Sequence, residues 1–310
     1  MYIAQAFNYL HDWWRYLIPV AGLAGLFVFN MAVIALLDID TESFMKEQIE
    51  AKGSNRVFLE NMIPFALFLG ALFVWVKFVH KQTIRALTTS RKKIDWGRFG
   101  FGFLLIFIAT VGTTLLSFYT TPENFVVQFN LVPFLILAII TIVFIPLQTS
   151  FEEYMFRGYL MQGIGVMARN RWVPLILTSV LFGGLHFLNP EVDKLGNIIM
   201  IYYIGTGLFL GIITLMDEGL ELALGFHAGN NVVASLLVTS DWTVFQTHSI
   251  LKEISEPSTG FHVLIPVLIM YPIFIGLMAW RYKWTGWKNK LFGKVEPPPV
   301  EETSITEMIN

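Results

Sequence analysis

The sequence predicts an all-α membrane protein, a polytopic bundle of about eight transmembrane helices. Hydrophobic residues make up 55% of the 310-residue chain and charged residues only 14%, whereas soluble domains have about 45–50% apolar and about 25% charged residues. The apolar residues are concentrated in runs that approach 20 residues, the length a helix needs to cross the hydrocarbon core of a bilayer. The net charge of −2 provides no basic field, so no nucleic-acid partner is predicted.

Eight apolar runs are the candidate spans. They are residues 16–37, 62–79, 99–119, 131–147, 173–189, 197–216, 222–238 and 262–280. The stretch 153–168 is ambiguous, because it is short and carries Glu153, Arg157 and Gln162. We interpret 131–168 as one long helix, kinked near Pro146, rather than as two separate spans.

The distribution of basic residues supports this interpretation. Lys and Arg are concentrated in three segments, 81–98, 169–171 and 281–294, and the positive-inside rule predicts that all three are cytoplasmic. Treating 131–168 as one helix leaves six crossings between the first and the last of them, so all three lie on one side. Both termini are then cytoplasmic, and the loops after the first and seventh spans lie outside.

Ionisable side chains inside a span cost at least about 2.5–3.5 kcal/mol each, so each requires a partner or a function. Three polar clusters interrupt the predicted spans: Glu152, Glu153 and Arg157; His186; and His227 with Asn231. A lone histidine in a membrane helix can simply bond to a neighbouring helix. Several such residues in successive clusters instead favour a functional site.

The first cluster contains one acid more than it can neutralise. Glu153 and Arg157 are four residues apart with the acid first, which favours an ion pair within one helix. Glu152 points about 100° away from Glu153. It is either an interfacial acid reaching water or an unpaired carboxylate able to act as a general base.

Several hydrolytic schemes are excluded by the sequence. No histidine is followed by Glu, so the H-E-x-x-H zinc motif is absent, and there is no G-x-S-x-G motif. The absence of Cys excludes disulfides and cysteine nucleophiles, and no Asp lies inside a predicted span to form an aspartyl dyad.

A carboxylate with two imidazoles and an amide remains. These groups suit amide hydrolysis by activated water, with one histidine holding the water and a second histidine and an Asn stabilising the oxyanion. One Glu and two His also form a known catalytic zinc set. Because Asn is a poor zinc ligand, we predict a metal-free site without a cofactor and keep zinc as the alternative.

Two other functions use the same residues. A proton-coupled transporter could use Glu152, His186 and His227 as a relay, although the inverted repeats typical of transporters are not evident. A non-catalytic membrane binding protein could keep the polar cluster for packing alone. This last reading explains the clustering least well.

Three motifs resemble those of a known family. EEYMFR, FGGLH and HAGNN follow in the order and approximate spacing of the E-E-x-x-x-R, F-x-x-x-H and H-x-x-x-N motifs. They are similar to the CAAX protease and bacteriocin-processing (CPBP, Abi) family of intramembrane glutamate endopeptidases. The resemblance covers about residues 131–240 and implies a membrane-anchored protein or peptide as substrate, membrane lipid as surroundings, and a catalytic cavity open to the cytoplasm.

The resemblance also implies a role for each motif residue. Glu152 would activate water with the help of His186, while His227 and Asn231 would stabilise the oxyanion. The residues implied to support these four are Glu153, Arg157 and Phe182. One difficulty is that His186 lies about 20 Å into its predicted span, whereas Glu152 is predicted near the cytoplasmic end of its helix.

The domain organisation follows from these assignments. We predict a single transmembrane domain over 1–294, with its catalytic core at about 131–240. The tail 295–310 is rich in Pro and Glu, and we predict that it is disordered and cytoplasmic. Short soluble segments and the absence of Cys favour the bacterial inner membrane as the location.

Overall fold

The computed structural model describes residues 1–257 and 260–297, and it confirms the predicted all-α polytopic bundle. The helices are α1 Trp13–Leu36, α2 Thr41–Lys52, α3 Ser54–Phe78, α4 Ile84–Thr88, α5 Trp96–Thr120, α6 Leu131–Glu153, α7 Met161–Ala168, α8 Trp172–Gly184, α9 Pro190–Leu195, α10 Ile199–Asp217, α11 Glu221–Leu237, α12 Tyr271–Tyr282 and α13 Trp287–Phe292. The strands, which the sequence did not indicate, are β1 Phe125–Val127, β2 Val238–Thr239 and β3 Leu251–Glu253. They form one small sheet in which β3 is central, antiparallel to β1 and parallel to β2.

Within the described residues, six helical segments are long and apolar enough to cross a membrane. They are Trp13–Leu36, Ser54–Phe78, Trp96–Thr120, Leu131–Ala168, Ile199–Asp217 and His262–Tyr282. The other two predicted spans, 173–189 and 222–238, coincide with the shorter apolar helix Trp172–Leu188 and with the 17-residue α11. The protein is therefore an integral multi-pass membrane protein, while the count of eight spans stays a prediction.

The predicted long helix over 131–168 is present as one continuous segment of 38 residues. Pro146 lies inside α6 without ending it, and the residues Tyr154–Leu160 form a π-helix between α6 and α7. Such wide turns are frequent at functional sites. This one begins directly after Glu153, at the E-E-x-x-x-R motif.

The three basic segments meet at one end of the molecule, as the positive-inside assignment requires. Arg91 forms an ion pair with Asp217 at 2.6 Å, and Arg171 forms one with Glu218 at 3.3 Å. The backbone N–H of Arg171 also donates to the carbonyl of Gly293. We call this the basic end.

The two loops predicted to lie outside are in contact at the opposite end. The Ser54 hydroxyl donates to the carbonyl of Gln246 and so joins the two loops. At the same end, Lys194 on α9 forms an ion pair with Glu42 at 2.7 Å. Strands β1 and β3 join the loop after α5 to the loop after α11. We call this the loop end.

Helix α11 lies between α5 and α6 and positions two of the predicted site residues. Its first nine residues are all buried, although they include the charged Glu221 and the polar His227. Glycines allow α5 and α11 to approach closely. A Cβ on Gly229 would lie 2.7 Å from the carbonyl oxygen of Phe103, which is far inside van der Waals contact.

Only residues 295–297 of the predicted tail, 295–310, are among those described, so the rest of this prediction lies outside the described residues. Val295 is buried, and its N–H donates to the carbonyl of Arg169 at the basic end.

Candidate active site

Glu152 and Glu153 occupy the last turn of α6, where both side chains are buried. Glu152 precedes Ala168, the end of the continuous helix, by 16 residues, or about 24 Å at the helical rise. His186 follows Trp172, the start of α8, by 14 residues, or about 21 Å. Because the helix continues well beyond Glu152, as predicted, the two residues lie at similar distances from the basic end.

The predicted ion pair between Glu153 and Arg157 is present, and both residues are fully buried. Arg157 donates to Glu153 Oε1 at 3.0 Å and to the carbonyl of Gly207 on α10 at 3.2 Å. Its guanidinium lies 4.1 Å from the ring centroid of Phe182. The pair thus joins the π-helical turn to α8 and α10.

Glu153 has a second partner that the sequence did not indicate. Its Oε1 is 2.8 Å from Nδ1 of His227 on α11. The same carboxylate oxygen accepts a hydrogen bond from Arg157 and is therefore an acceptor. Nδ1 of His227 accordingly carries a hydrogen and donates a hydrogen bond to Glu153. The hydrogen bond fixes the orientation of the ring and directs Nε2 toward Glu152.

Glu152 and His227 form the centre of the site. Glu152 Oε2 lies 3.5 Å from His227 Nε2 and has no hydrogen-bond partner among the described residues. The two glutamates face one guanidinium, so the cluster becomes neutral when it holds one further proton.

Gln148 connects Glu152 to Asn231 and was not identified from the sequence. Its side-chain amide donates to Glu152 Oε1 at 2.6 Å, and its carbonyl oxygen accepts from the Asn231 amide at 3.1 Å. The sequence signal that could have identified Gln148 was its position four residues before Glu152, which places both side chains on one face of the helix. The side chain of Asn230 also joins this network, donating to Asn231 Oδ1 at 3.1 Å.

His186 lies in the short 3₁₀ turn, Leu185–Leu188, that follows α8. Its Nδ1 is 2.8 Å from the carbonyl oxygen of Phe182. Since a carbonyl can only accept, Nδ1 carries the proton and Nε2 has a free lone pair. The ring of Tyr203 on α10 stacks on the imidazole with centroids 4.5 Å apart and helps to hold it in place.

All four predicted catalytic residues line one cavity of about 630 Å³. Glu152, His186, His227 and Asn231 come from α6, the turn after α8, and α11. The opposite wall of the cavity is mostly apolar and comes from α1 and α3, through residues such as Leu26, Phe65 and Phe68. The cavity extends toward the loop end, where it is lined by Glu191 and Val244.

A zinc site would require three ligands at one point. Across residues 1–257 and 260–297, no group of three or more His, Asp or Glu side chains is placed to hold a metal ion. The Nδ1 atoms of both histidines already donate to protein oxygens, which leaves one nitrogen on each ring. The arrangement therefore does not form a three-ligand site, and we assign no step to a metal.

Comparisons with known proteins agree with the motif resemblance. The family model described as type II CAAX prenyl endopeptidase Rce1-like matches residues 128–233. The chain is also similar to a Bacillus subtilis (strain 168) protein named "Uncharacterized protein YyaK", with 26% identity over 281 residues that cover 87% of this chain and 92% of the relative. No solved structure matches the chain.

The matched segment contains the whole candidate site, from Gln148 to Asn231. The resemblance to the CAAX protease and bacteriocin-processing family, predicted from three short motifs, is thus confirmed over residues 128–233.

Proposed function

We propose that the protein is an intramembrane endopeptidase that hydrolyses a peptide bond of a membrane-associated substrate with water activated by Glu152. The observation that carries this proposal is that Glu152, His186, His227 and Asn231 line one cavity, with one oxygen of Glu152 left without a partner. The match to a family named for endopeptidases supports the reaction class. The apolar wall from α1 and α3 suits a substrate that enters from the lipid.

The reaction begins with a water molecule between Glu152 and His186. Glu152 Oε2 takes one proton of the water as the oxygen attacks the scissile carbonyl carbon, and Nε2 of His186 accepts a hydrogen bond from the other O–H. Glu152 then transfers the proton to the leaving amine when the C–N bond breaks. No covalent intermediate with the protein is formed.

The negative charge on the carbonyl oxygen is stabilised from α11. A protonated Nε2 of His227 and the side-chain amide of Asn231 donate hydrogen bonds to the oxyanion. Glu153 and Arg157 act through His227, because the Nδ1 hydrogen bond to Glu153 holds the imidazole in the required orientation. This assigns to the motif residues the roles that the resemblance implies.

The proposal is tested with purified protein in nanodiscs and fluorogenic peptides carrying an apolar anchor, with and without a prenyl group. We expect Glu152→Gln to lower kcat/KM by at least about 100-fold, without a fall in Tm. The matched control is Glu123→Gln, the same substitution at an exposed loop residue, which should cleave like the wild type. Full activity of Glu152→Gln would refute the proposal.

The same preparation decides between the metal-free mechanism and its zinc alternative. We expect activity to withstand dialysis against a chelator. Stoichiometric bound zinc, together with a chelator-induced loss of activity that zinc restores, would contradict the metal-free mechanism.

A further inference from the structure

Glu191 is a second acid in the cavity, and the proposed mechanism does not use it. It lies in the first turn of α9, close to the loop that follows α11, and its side chain lines the cavity beyond His186. Between them, Asn189 donates to the hydroxyl of Tyr203 at 3.3 Å, and the Tyr203 ring stacks on His186. Glu191 is thus only two residues from Asn189, whose side chain bonds to the tyrosine that stacks on His186.

The carboxylate of Glu191 is only half satisfied. Its Oε1 accepts a hydrogen bond from the backbone N–H of Val244 at 2.9 Å, which joins α9 to the loop after α11. Its Oε2 is buried and has no hydrogen-bond partner in the part of the chain that the structure describes. A structural role accounts for the first oxygen but not for the second.

The cavity offers nothing to neutralise this charge. Among the described residues that line it there is no Lys or Arg, and its other acid, Glu152, is already opposite His227. A carboxylate oxygen that is buried without a counter-charge is costly, so it is expected where a ligand supplies the missing charge. The ring of Tyr203 in the same cavity can contact a cation as well.

We propose that Glu191 forms a subsite for a positively charged group of the substrate, a Lys or Arg side chain at a fixed distance from the scissile bond on the His186 side. The inference rests on the proposed endopeptidase function and specifies its substrate class. The substrate is an apolar segment that carries one basic residue near the cleavage site. An acidic residue at the same position is disfavoured by like charge.

The test uses a cleaved fluorogenic peptide into which Lys, Gln or Glu is placed at successive positions around the scissile bond. At one position we expect kcat/KM of the wild type to be at least about tenfold higher for Lys than for Gln, and lowest for Glu. Glu191→Gln keeps an acceptor for Val244 and removes only the charge, so it should cleave the Gln peptide normally and lose the Lys preference. Glu191→Lys should prefer the Glu peptide at that position.

Asp193 provides the matched control, because it is an exposed acid on the same helix and does not line the cavity. Asp193→Asn should keep the Lys preference of the wild type. The inference is wrong if Glu191→Gln cleaves the peptides and still prefers Lys, or if the wild type shows no charge preference at any position. Failure of every variant and of the wild type to cleave any peptide would instead count against the endopeptidase function itself.

Discussion

Gln148 fixes the position of the candidate base, Glu152, relative to the candidate oxyanion donor, Asn231. One amide group spans them, donating to Glu152 and accepting from Asn231. Apolar substitution would remove both hydrogen bonds and leave both partners free to reorient in the cavity. We regard Gln148 as a positioning residue, since its side chain acts through these two neighbours.

We expect Gln148→Met to lower kcat/KM by about 10–100-fold, the usual effect of removing a residue that orients a catalytic group. The fall should be mainly in kcat, because the apolar wall of the cavity is unchanged. Gln48→Met, the same substitution on α2 outside the cavity, should have wild-type kinetics. A Gln148→Met variant with unchanged kcat would show that the bridge is not needed.

The pair formed by Glu153 and Arg157 is expected to matter for folding as well as for orientation. Arg157→Met leaves a fully buried Glu153 with only His227 as its partner, and breaking a buried pair in this way costs about 3–5 kcal/mol. Replacing both charges, as in Glu153→Gln with Arg157→Met, should recover part of this loss. The free energy of unfolding is measured in detergent with graded denaturant for the wild type, the two single variants and the double variant. An Arg157→Met variant as stable as the wild type would contradict the role of the ion pair in stability.

Glu191 should decrease stability in the absence of substrate. Burial raises the pKa of its carboxyl, so the folded protein binds this proton more tightly than the unfolded chain does. The ionised side chain then costs free energy of folding, and this cost is absent below the unfolded pKa and complete above the folded pKa. We therefore expect the Tm advantage of Glu191→Gln over the wild type to grow as the pH rises from 4 to 8, whereas an advantage that is independent of pH would contradict the assignment.

The contact between α5 and α11 sets the position of His227 and Asn231, which lie on either side of Gly229. A methyl group on Gly229 would press against the backbone of Phe103, and backbone cannot move aside as a side chain can. We expect Gly229→Ala to lower Tm and to reduce kcat/KM by about 100-fold, as displacement of catalytic groups by about 1 Å does. Gly112→Ala on α5, where a Cβ meets nothing within 4 Å, is the control and should resemble the wild type.

At the element scale, the sequence predicted the long helix over 131–168 because charge distribution and span parity both required it. It could not predict the π-helical turn, since an extra residue in a helical turn leaves the apolar pattern almost unchanged. The three strands were missed because they contain only two or three residues each. α8 and α11 were correctly predicted as apolar helices. α11 has the predicted length of 17 residues, whereas α8 ends at Gly184 and the rest of the predicted span 173–189 begins with a 3₁₀ turn.

The site could be predicted to the extent that its residues are costly in a membrane. Glu152, His186 and His227 stood out because ionisable side chains in apolar helices are rare and usually functional. Gln148 is neutral and Tyr203 is common in membrane helices, so neither gave a signal on its own. The contact of Glu153 with His227 depends on how α6 and α11 pack, which no spacing within one helix reveals.

At the scale of the whole molecule, two expectations concern the orientation of the protein in the membrane. The basic end is expected in the cytoplasm, and the cavity was expected to open there as well. The cavity reaches toward the loop end, where Glu191 and Val244 line it, and its opening to the cytoplasm stays a prediction. If the positive-inside rule holds, a basic substrate residue bound at Glu191 approaches from the side opposite to the cytoplasm.

The absence of cysteine makes this arrangement simple to test, because each introduced cysteine is the only thiol in the chain. Lys92 at the basic end and Glu47 at the loop end are both exposed. We expect Glu47→Cys to react with a membrane-impermeant maleimide in intact cells, and Lys92→Cys to react only after permeabilisation, because basic segments stay in the cytoplasm. The reverse pattern would place the loop end, and with it the Glu191 side of the cavity, in the cytoplasm.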